Sequence, residues 1–226
     1  MAILASSRLL SNFARSSISL KALDNNKDQS YFLCQISQAA LQKTLFPLGE
    51  LTKPQVREIA ELLSLDVAHK KDSTGICFIG ERNFRQFLSN YLPAKKGKII
   101  DLETKDVIGT HLGVLYYTLG QRKGLDISAH KGPWFVVGKD IYKNELYVVK
   151  GEDNPWLINT SCTVNALNWF NPLDLTHCKS VKAKFRYRQS DQDVTLVYKD
   201  EHSVSVLFPQ GIKAVVPGQE AVFYDG

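Results

Sequence analysis

The pattern of apolar and polar positions changes period part-way along the chain. Val56, Ile59, Ala60 and Leu63 recur at helical spacing behind Thr52 and Gln55, which stand as a capping box, and Leu51, which can staple onto Val56. A helix is expected there. Tyr31, Phe32, Leu33, Ile36 and Ala40 predict an earlier helix, opened by the capping-type side chains of Asn25 to Ser30, broken near Ser37, and ended by the turn Phe46-Pro47-Leu48-Gly49. Leu65 to Ala68 reads as a short strand. Phe84, Phe87, Leu88 and Tyr91 predict a third amphipathic helix that Pro93 stops.

From Gly97 the period becomes that of strands. Lys98 to Asp101 and Val107 to His111 predict a hairpin across Glu103-Thr104-Lys105-Asp106. Beyond Pro133, apolar runs at 134–137, 146–149, 163–169, 181–187, 194–198 and 204–208, each bounded by turn residues, predict a small barrel or sandwich. The expected class is α+β. Residues 1–20 stand outside the pattern as a leader expected to be disordered. A helical segment (21–92), a central β-containing domain (93–132) and a C-terminal antiparallel β-barrel (133–226) are expected to follow.

Composition narrows the function classes only slightly. The 226 residues carry a formal charge of +5, which permits a polyanionic partner without requiring one. No apolar run approaches the roughly 20 residues that cross a bilayer, so no membrane association is expected. The four cysteines, Cys34, Cys77, Cys162 and Cys178, are widely spaced with no Cys-x-x-Cys pair, which points to a reducing compartment such as the cytoplasm. The histidines are equally scattered, and no metal site is expected. Residues 1–20 contain Arg8, Arg15, many serines and no acidic residue, a composition shared with mitochondrial transit peptides. A disordered leader and an unrelated fused sequence are alternative readings. The mitochondrial matrix is a destination only if the segment is a transit peptide.

Candidate chemistry centres on Cys77. It follows Lys70, Lys71 and the mobile Gly75, and nearby cations or free backbone N–H groups favour the thiolate on which nucleophilic or sulfur-carrying work depends. The competing reading is a small buried hydrophobe between Ile76 and Phe78. Two further stretches suit an anionic partner. Strict alternation across 181–188 would send Lys182, Lys184, Arg186 and Arg188 to one face of a strand, a stripe suited to phosphates or, alternatively, a solvated edge. Arg122 and Lys123 sit in the glycine-flanked run Thr118 to Gly124, as candidate RNA-backbone contacts or a solvated turn. No nucleotide-binding glycine loop and no Ser-Gly-Gly-x-Asp-Ser run occurs in the sequence.

Taken together, Asn26 to Leu33, Phe46 to Glu50, Lys71 to Glu81, Tyr117 to Gly124, Phe185 to Gln189 and Pro217 to Gln219 resemble the bacterial and mitochondrial tRNA-specific 2-thiouridylases in order and spacing, from about Lys21 to Gly226. The resemblance implies a sulfurtransferase acting on the wobble uridine of tRNA, in which ATP adenylates the base and a persulfide sulfur displaces AMP. It implies Cys77 as the persulfide carrier, and Lys27, Asp28, Gln29, Arg186, Tyr187 and Gln219 as tRNA contacts. It further implies a sulfur-donor relay protein, and a second cysteine in an ATP-binding domain that the sequence does not match. Residues 21–92 would be an α-rich remnant of the catalytic domain. No cofactor is expected in this chain itself, and ATP would act through a separate ATP-binding domain or a full-length paralogue. The alternative is a non-catalytic tRNA-binding module left by truncation.

Overall fold

The computed structural model describes residues 2–6, 21–70, 87, 89–92, 95–127, 132–170 and 178–225. Short polar side chains shape the beginning of the second of these stretches. Asp28 is buried, its Oδ1 accepting from the backbone N–H groups of Ala22 and Ser30 (both 3.1 Å) and its Oδ2 from the Ser30 hydroxyl (3.0 Å). A single 3₁₀ turn, Ser30–Leu33, follows in place of the expected longer helix. Ser37 Oγ then accepts from the Ala40 N–H (3.2 Å) and opens the short helix α1 (Gln38–Leu41). Side chains that compete for backbone groups have divided one apolar period into two pieces.

Helix α2 (Lys53–Leu62) forms where the capping box predicts it. Gln55 Oε1 accepts from the Thr52 N–H (2.8 Å) and hydroxyl (2.9 Å), and Asp24 Oδ2 accepts from the Lys53 N–H (2.8 Å). That last bond is the main cause holding the Asp24 carboxyl below its usual range. Leu65 to Ala68 is a turn, with the Ala68 N–H bonded to Leu65 O (3.0 Å), where the sequence predicts a strand. Of the third expected helix, Phe84 and Leu88 lie outside the described residues, whereas the rings of Phe87 and Tyr91 meet at 5.2 Å.

The rest of the described chain is mostly β. Its strands are β1 (Ala2–Ser6), β2 (Gly97–Asp101), β3 (Val107–His111), β4 (Trp134–Asp140), β5 (Glu145–Lys150), β6 (Ile158–Asn165), β7 (Lys179–Lys184), β8 (Gln192–Asp200), β9 (Ser203–Lys213) and β10 (Ala221–Asp225). They make a four-stranded sheet, β3-β2-β5-β4, and a six-stranded sheet, β1-β10-β7-β8-β9-β6. In the smaller sheet β2 and β5 run parallel and the outer pairs antiparallel. In the larger, β10, β7, β8 and β9 pair antiparallel in succession, and β1 adds in parallel to β10. Thus Ala2–Ser6, within the segment expected as a leader, is a strand.

The chain divides into two compact units, one of residues 1–71, 160–211 and 217–226 and the other of residues 72–159 and 212–216. Strands β4 and β5, which the sequence groups with the C-terminal barrel, pair instead with the central hairpin. The early turns pack on the C-terminal sheet: Asn168 Nδ2 donates to Cys34 O and Ile36 O (3.1 Å each), and Gln38 Nε2 donates to Phe170 O (2.8 Å). Periodicity marks where strands lie, but pairing is decided by contacts distant in sequence.

The second unit closes over Ile99, Val136, Leu146 and Val148, all fully buried, with Trp134 and Tyr117 beside them. His111 ends β3 inside this unit with no exposed surface. Its Nε2 lies 3.1 Å from Asn144 O, and Asn144 Nδ2 donates to Lys95 O (3.3 Å) and Lys96 O (2.8 Å). A carbonyl only accepts, so Nε2 carries the proton, and the buried Nδ1 has no hydrogen-bond partner among the described residues. Gly97 makes this approach feasible, because a Cβ there would stand 2.1 Å from Asn144 O and 2.6 Å from His111 Nε2.

Burial pushes the His111 imidazole below its ordinary pKa, with the Asn144 bond opposing. The unfolded chain therefore takes up a proton near pH 6.5 that the folded chain refuses until a lower pH, so stability is full above that range and falls as pH drops through it. We expect the urea midpoint of the protein to fall between pH 7.5 and pH 5.5, with a smaller fall in His111→Gln. Equal pH dependence in the two proteins would show that another group is responsible.

Candidate nucleic-acid interface

Three stretches, the first more than 150 residues from the other two in sequence, meet in the first unit. The 3₁₀ turn sends Tyr31 inward, where its hydroxyl donates to Glu220 O (3.0 Å), and Gln35 Nε2 donates to Glu220 Oε1 (2.6 Å). Phe32, one position on, points outward and is 60% exposed. Its ring centroid lies 4.6 Å from that of Tyr187, and the Tyr31 and Tyr187 rings are 6.5 Å apart. Lys27 is partly exposed and Gln29 exposed on either side of buried Asp28. Asp28 thus shapes this turn through its own oxygens, and Lys27 and Gln29 are the neighbours turned toward solvent. Gln219 is exposed directly after the Pro217-Gly218 turn, where Gly218 has φ 83°.

Arg186, Tyr187 and Arg188 do not continue strand β7. The strand ends at Lys184, and the chain turns with the Phe185 N–H on Gln189 Oε1 (2.8 Å) and the Gln189 N–H on Arg186 O (3.0 Å). The expected stripe of four cations along one strand is therefore divided. Lys182 faces Asp193 across the β7–β8 ladder and pairs with it (2.6 Å), while Lys184 lies 3.6 Å from Asp191, which also receives Lys21. Arg186 and Arg188 are exposed on the turn, flanking Tyr187. The Lys182–Asp193 pair is exposed and contributes only about 0–1 kcal/mol, whereas the Lys184 side chain is largely covered.

Arg122 and Lys123 are exposed in the second unit, apart from the other candidates in the chain's division into units. Gln121 organises their loop, its Oε1 accepting from the Thr118 N–H (3.0 Å) and its Nε2 donating to Lys123 O (2.9 Å). Gly120 takes φ 78°, a conformation a β-carbon disfavours.

Cys77 and Lys71 lie outside the described residues. The other thiols have distinct surroundings. Cys34 is buried and pushed up to about 11, first by burial and then by the Glu220 carboxylate, and burial likewise raises Cys162 to about 11. Both are protonated near neutrality and poorly suited to nucleophilic work. Cys178 is exposed. Burial also lifts the Tyr31 hydroxyl to about 12, with Cys34 and Glu220 adding to the effect and Arg186 opposing it. Among the described residues, no group of three His, Cys, Asp or Glu could hold a metal ion, and no helix is long and apolar enough to cross a membrane.

A second surface of the first unit is apolar. No residue of α2 is buried: Ile59 is 43% exposed and Leu62 84%, and Leu45, Phe46, Leu48, Leu63 and Val67 are also exposed. The amphipathic stripe that made this helix legible is thus only partly covered among the described residues, with Val56 and Ala60 half-buried and Ile59 and Leu63 exposed. Contiguous apolar surface left exposed is characteristic of an interaction site.

Comparison with known proteins accounts for nearly the whole chain. Residues 8–81 match the family model described as the tRNA methyl transferase HUP domain, residues 85–150 the tRNA methyl transferase PRC-barrel domain, and residues 159–226 the aminomethyltransferase beta-barrel domain. A tRNA-specific 2-thiouridylase of Lacticaseibacillus paracasei is 55% identical over 213 residues, 92% of this chain and 55% of the relative. The chain belongs to the tRNA-specific 2-thiouridylase family. Other thiouridylases, from Mycoplasma capricolum subsp. capricolum and Shewanella frigidimarina, are each 50% identical over 91% and 92% of the chain and 56% of their own lengths. The chain therefore spans about half the length of the curated thiouridylases it matches. These relatives are bacterial and lend no support to the mitochondrial reading of the first residues. The HUP match also reaches back to residue 8, into the stretch that sequence reading set apart as a leader.

The feature that sequence reading missed in this interface is Phe32. The sequence places Tyr31-Phe32-Leu33 in a helix without separating the three, yet three consecutive large apolar residues cannot all face one way in any helix, and that crowding is the available signal.

Proposed function

We propose that this chain supplies the persulfide-bearing cysteine and part of the tRNA-binding surface for 2-thiolation of the wobble uridine. The observation that carries the reading is the 50–55% identity to thiouridylases over nine-tenths of the chain. The meeting of the Lys27-Asp28-Gln29 turn with Arg186, Tyr187 and the Gln219 segment supports it, because a shared RNA surface needs these distant stretches side by side. In this reading Lys27, Gln29, Arg186, Tyr187 and Gln219 touch tRNA directly, and Asp28 positions its two neighbours. Lys182, Lys184, Arg188, Arg122 and Lys123 contribute backbone attraction. The match to a beta-barrel model supports reading the six-stranded sheet as the wall of a barrel.

The residues present do not fit ATP, since the sequence contains no phosphate-cradling glycine loop. No step in this chain is therefore derived through the nucleotide. Adenylation would be performed by an ATP-binding domain, on the same or another polypeptide, and the exposed apolar surface around α2 is suited to pack against it. A relay protein would deliver sulfur to Cys77.

Arg186→Ala tests the RNA surface. Removing one phosphate-neutralising charge should weaken binding of an unmodified tRNA transcript and reduce the slope of log K against log salt by about one unit, while Cys77→Ser leaves both unchanged. Filter binding between 50 and 200 mM salt reads both quantities. An unaltered slope in Arg186→Ala would remove that residue from the interface.

A further inference from the structure

We propose that Phe32 and Tyr187 form a stacking platform for an unpaired base of the bound tRNA, with Phe32 as a direct RNA contact. The inference rests on the tRNA-binding reading above and adds a residue to it. A phenylalanine has no polar group that explains exposure, and a lone exposed one would require no explanation. Phe32 is not alone. It leans on Tyr187 at 4.6 Å with 43° between the ring planes, and meets Tyr31 edge-on at 5.6 Å and 88°. Tyr31 is anchored by its bond to Glu220 O, and the turn that carries all of this is tied by buried Asp28. The 60% exposed ring is consequently held by its neighbours and pays little ordering entropy on binding.

Its surroundings select the occupant. Arg186 and Arg188 flank Tyr187 on the exposed turn, and Lys27 and Gln29 precede Phe32 on its own turn. An apolar protein partner would strand these charges at the rim. Single-stranded RNA satisfies both features, because its bases stack on aromatic rings and its phosphates take the cations. Tyr187 is half-buried and packs against the core cluster of Tyr31, Cys34, Leu41, Phe170, Val222 and Tyr224, so it serves as the fixed floor of the platform and Phe32 as its open face.

The test is a series at position 32 in the full chain, with Kd for an unmodified tRNA transcript measured at several salt concentrations. Loss of one base stack by alanine substitution corresponds to roughly a 5- to 150-fold rise in Kd. Phe32→Ala should show that rise with the salt slope unchanged, because no phosphate contact is lost. Phe32→Leu should resemble Phe32→Ala, and Phe32→Trp should bind as tightly as the parent. A merely structural role would place leucine with phenylalanine, and that ranking would overturn the platform, as would an unchanged Kd in Phe32→Ala while the parent chain binds tRNA. Absence of salt-dependent tRNA binding by the parent chain would overturn the platform together with the reading beneath it. Thermal melting of each variant, expected within a few degrees of the parent for so exposed a position, separates lost contact from lost fold.

Discussion

Replacing Cys77 by serine should reduce sulfur acceptance by this chain to background. The expected step is attack of the Cys77 thiolate on the outer sulfur of a donor persulfide: a Cys77 S–S bond forms, the donor's S–S bond breaks, and the donor leaves as a thiolate. Serine cannot substitute, because its hydroxyl is protonated near neutrality and forms no comparable bond to sulfur. Nor can the buried thiols. Cys34 and Cys162, both raised to about 11, present almost no thiolate at neutral pH. Cys178 is exposed and is the one described thiol that could compete, so Cys178→Ser is the control. Incubation with a ³⁵S-labelled persulfide donor, followed by non-reducing electrophoresis, should show label retained by the parent and by Cys178→Ser and lost from Cys77→Ser. Label persisting on Cys77→Ser would sink the assignment. Label absent from all three would favour the non-catalytic tRNA-binding module, for which the salt series with Arg186→Ala remains the positive test.

What the sequence made legible follows from how local each signal was. Helix α2 is specified by Thr52, Gln55 and an apolar stripe within ten residues, and it forms where the capping box places it. The hairpin of β2 and β3 is equally local, its strands lying within a residue of the expected positions. The failures involve competition or distance. Asp28 and Ser37 captured backbone N–H groups that a longer helix would have used, and Gln189 captured the Phe185 N–H and helped end β7 before Arg186. The partners of Lys182 and Lys184 are supplied from beyond the strand, Asp193 on β8 and Asp191 just before it, and alternation within 181–188 does not name them. Phe32, Ile59 and Leu63 show the opposite difficulty: each sits at helical spacing yet is exposed, because burial depends on a neighbour that periodicity does not name.

Strand β10 combines both kinds of difficulty and carries the largest expected stability effect, a loss of about 3–5 kcal/mol in Phe223→Ala. Ala221, Val222, Phe223 and Tyr224 are each no more than 3% exposed, so the strand is buried on both faces and shows none of the alternation by which strands are usually found. Val222 and Tyr224 belong to the cluster with Tyr31 and Cys34 beneath the candidate interface. Phe223 points to the other face, stacked 6.2 Å from Trp169 with 26° between the rings, and its backbone pairs with Ala183 of β7 and Leu4 of β1. Ala183 and Leu196 are themselves fully buried, so little can collapse into the space an alanine would leave, and the cost should sit toward the upper part of that range. Urea unfolding followed by tryptophan fluorescence reads it, with Trp169 reporting locally. Because the proposed tRNA surface lies on the opposite side of β10, tRNA affinity measured at low temperature, where the variant is still folded, should stay close to that of the parent. A stability loss below about 1 kcal/mol would mean that β10 is not packed between two layers, and the platform of Tyr31, Phe32 and Tyr187 would then lack its support.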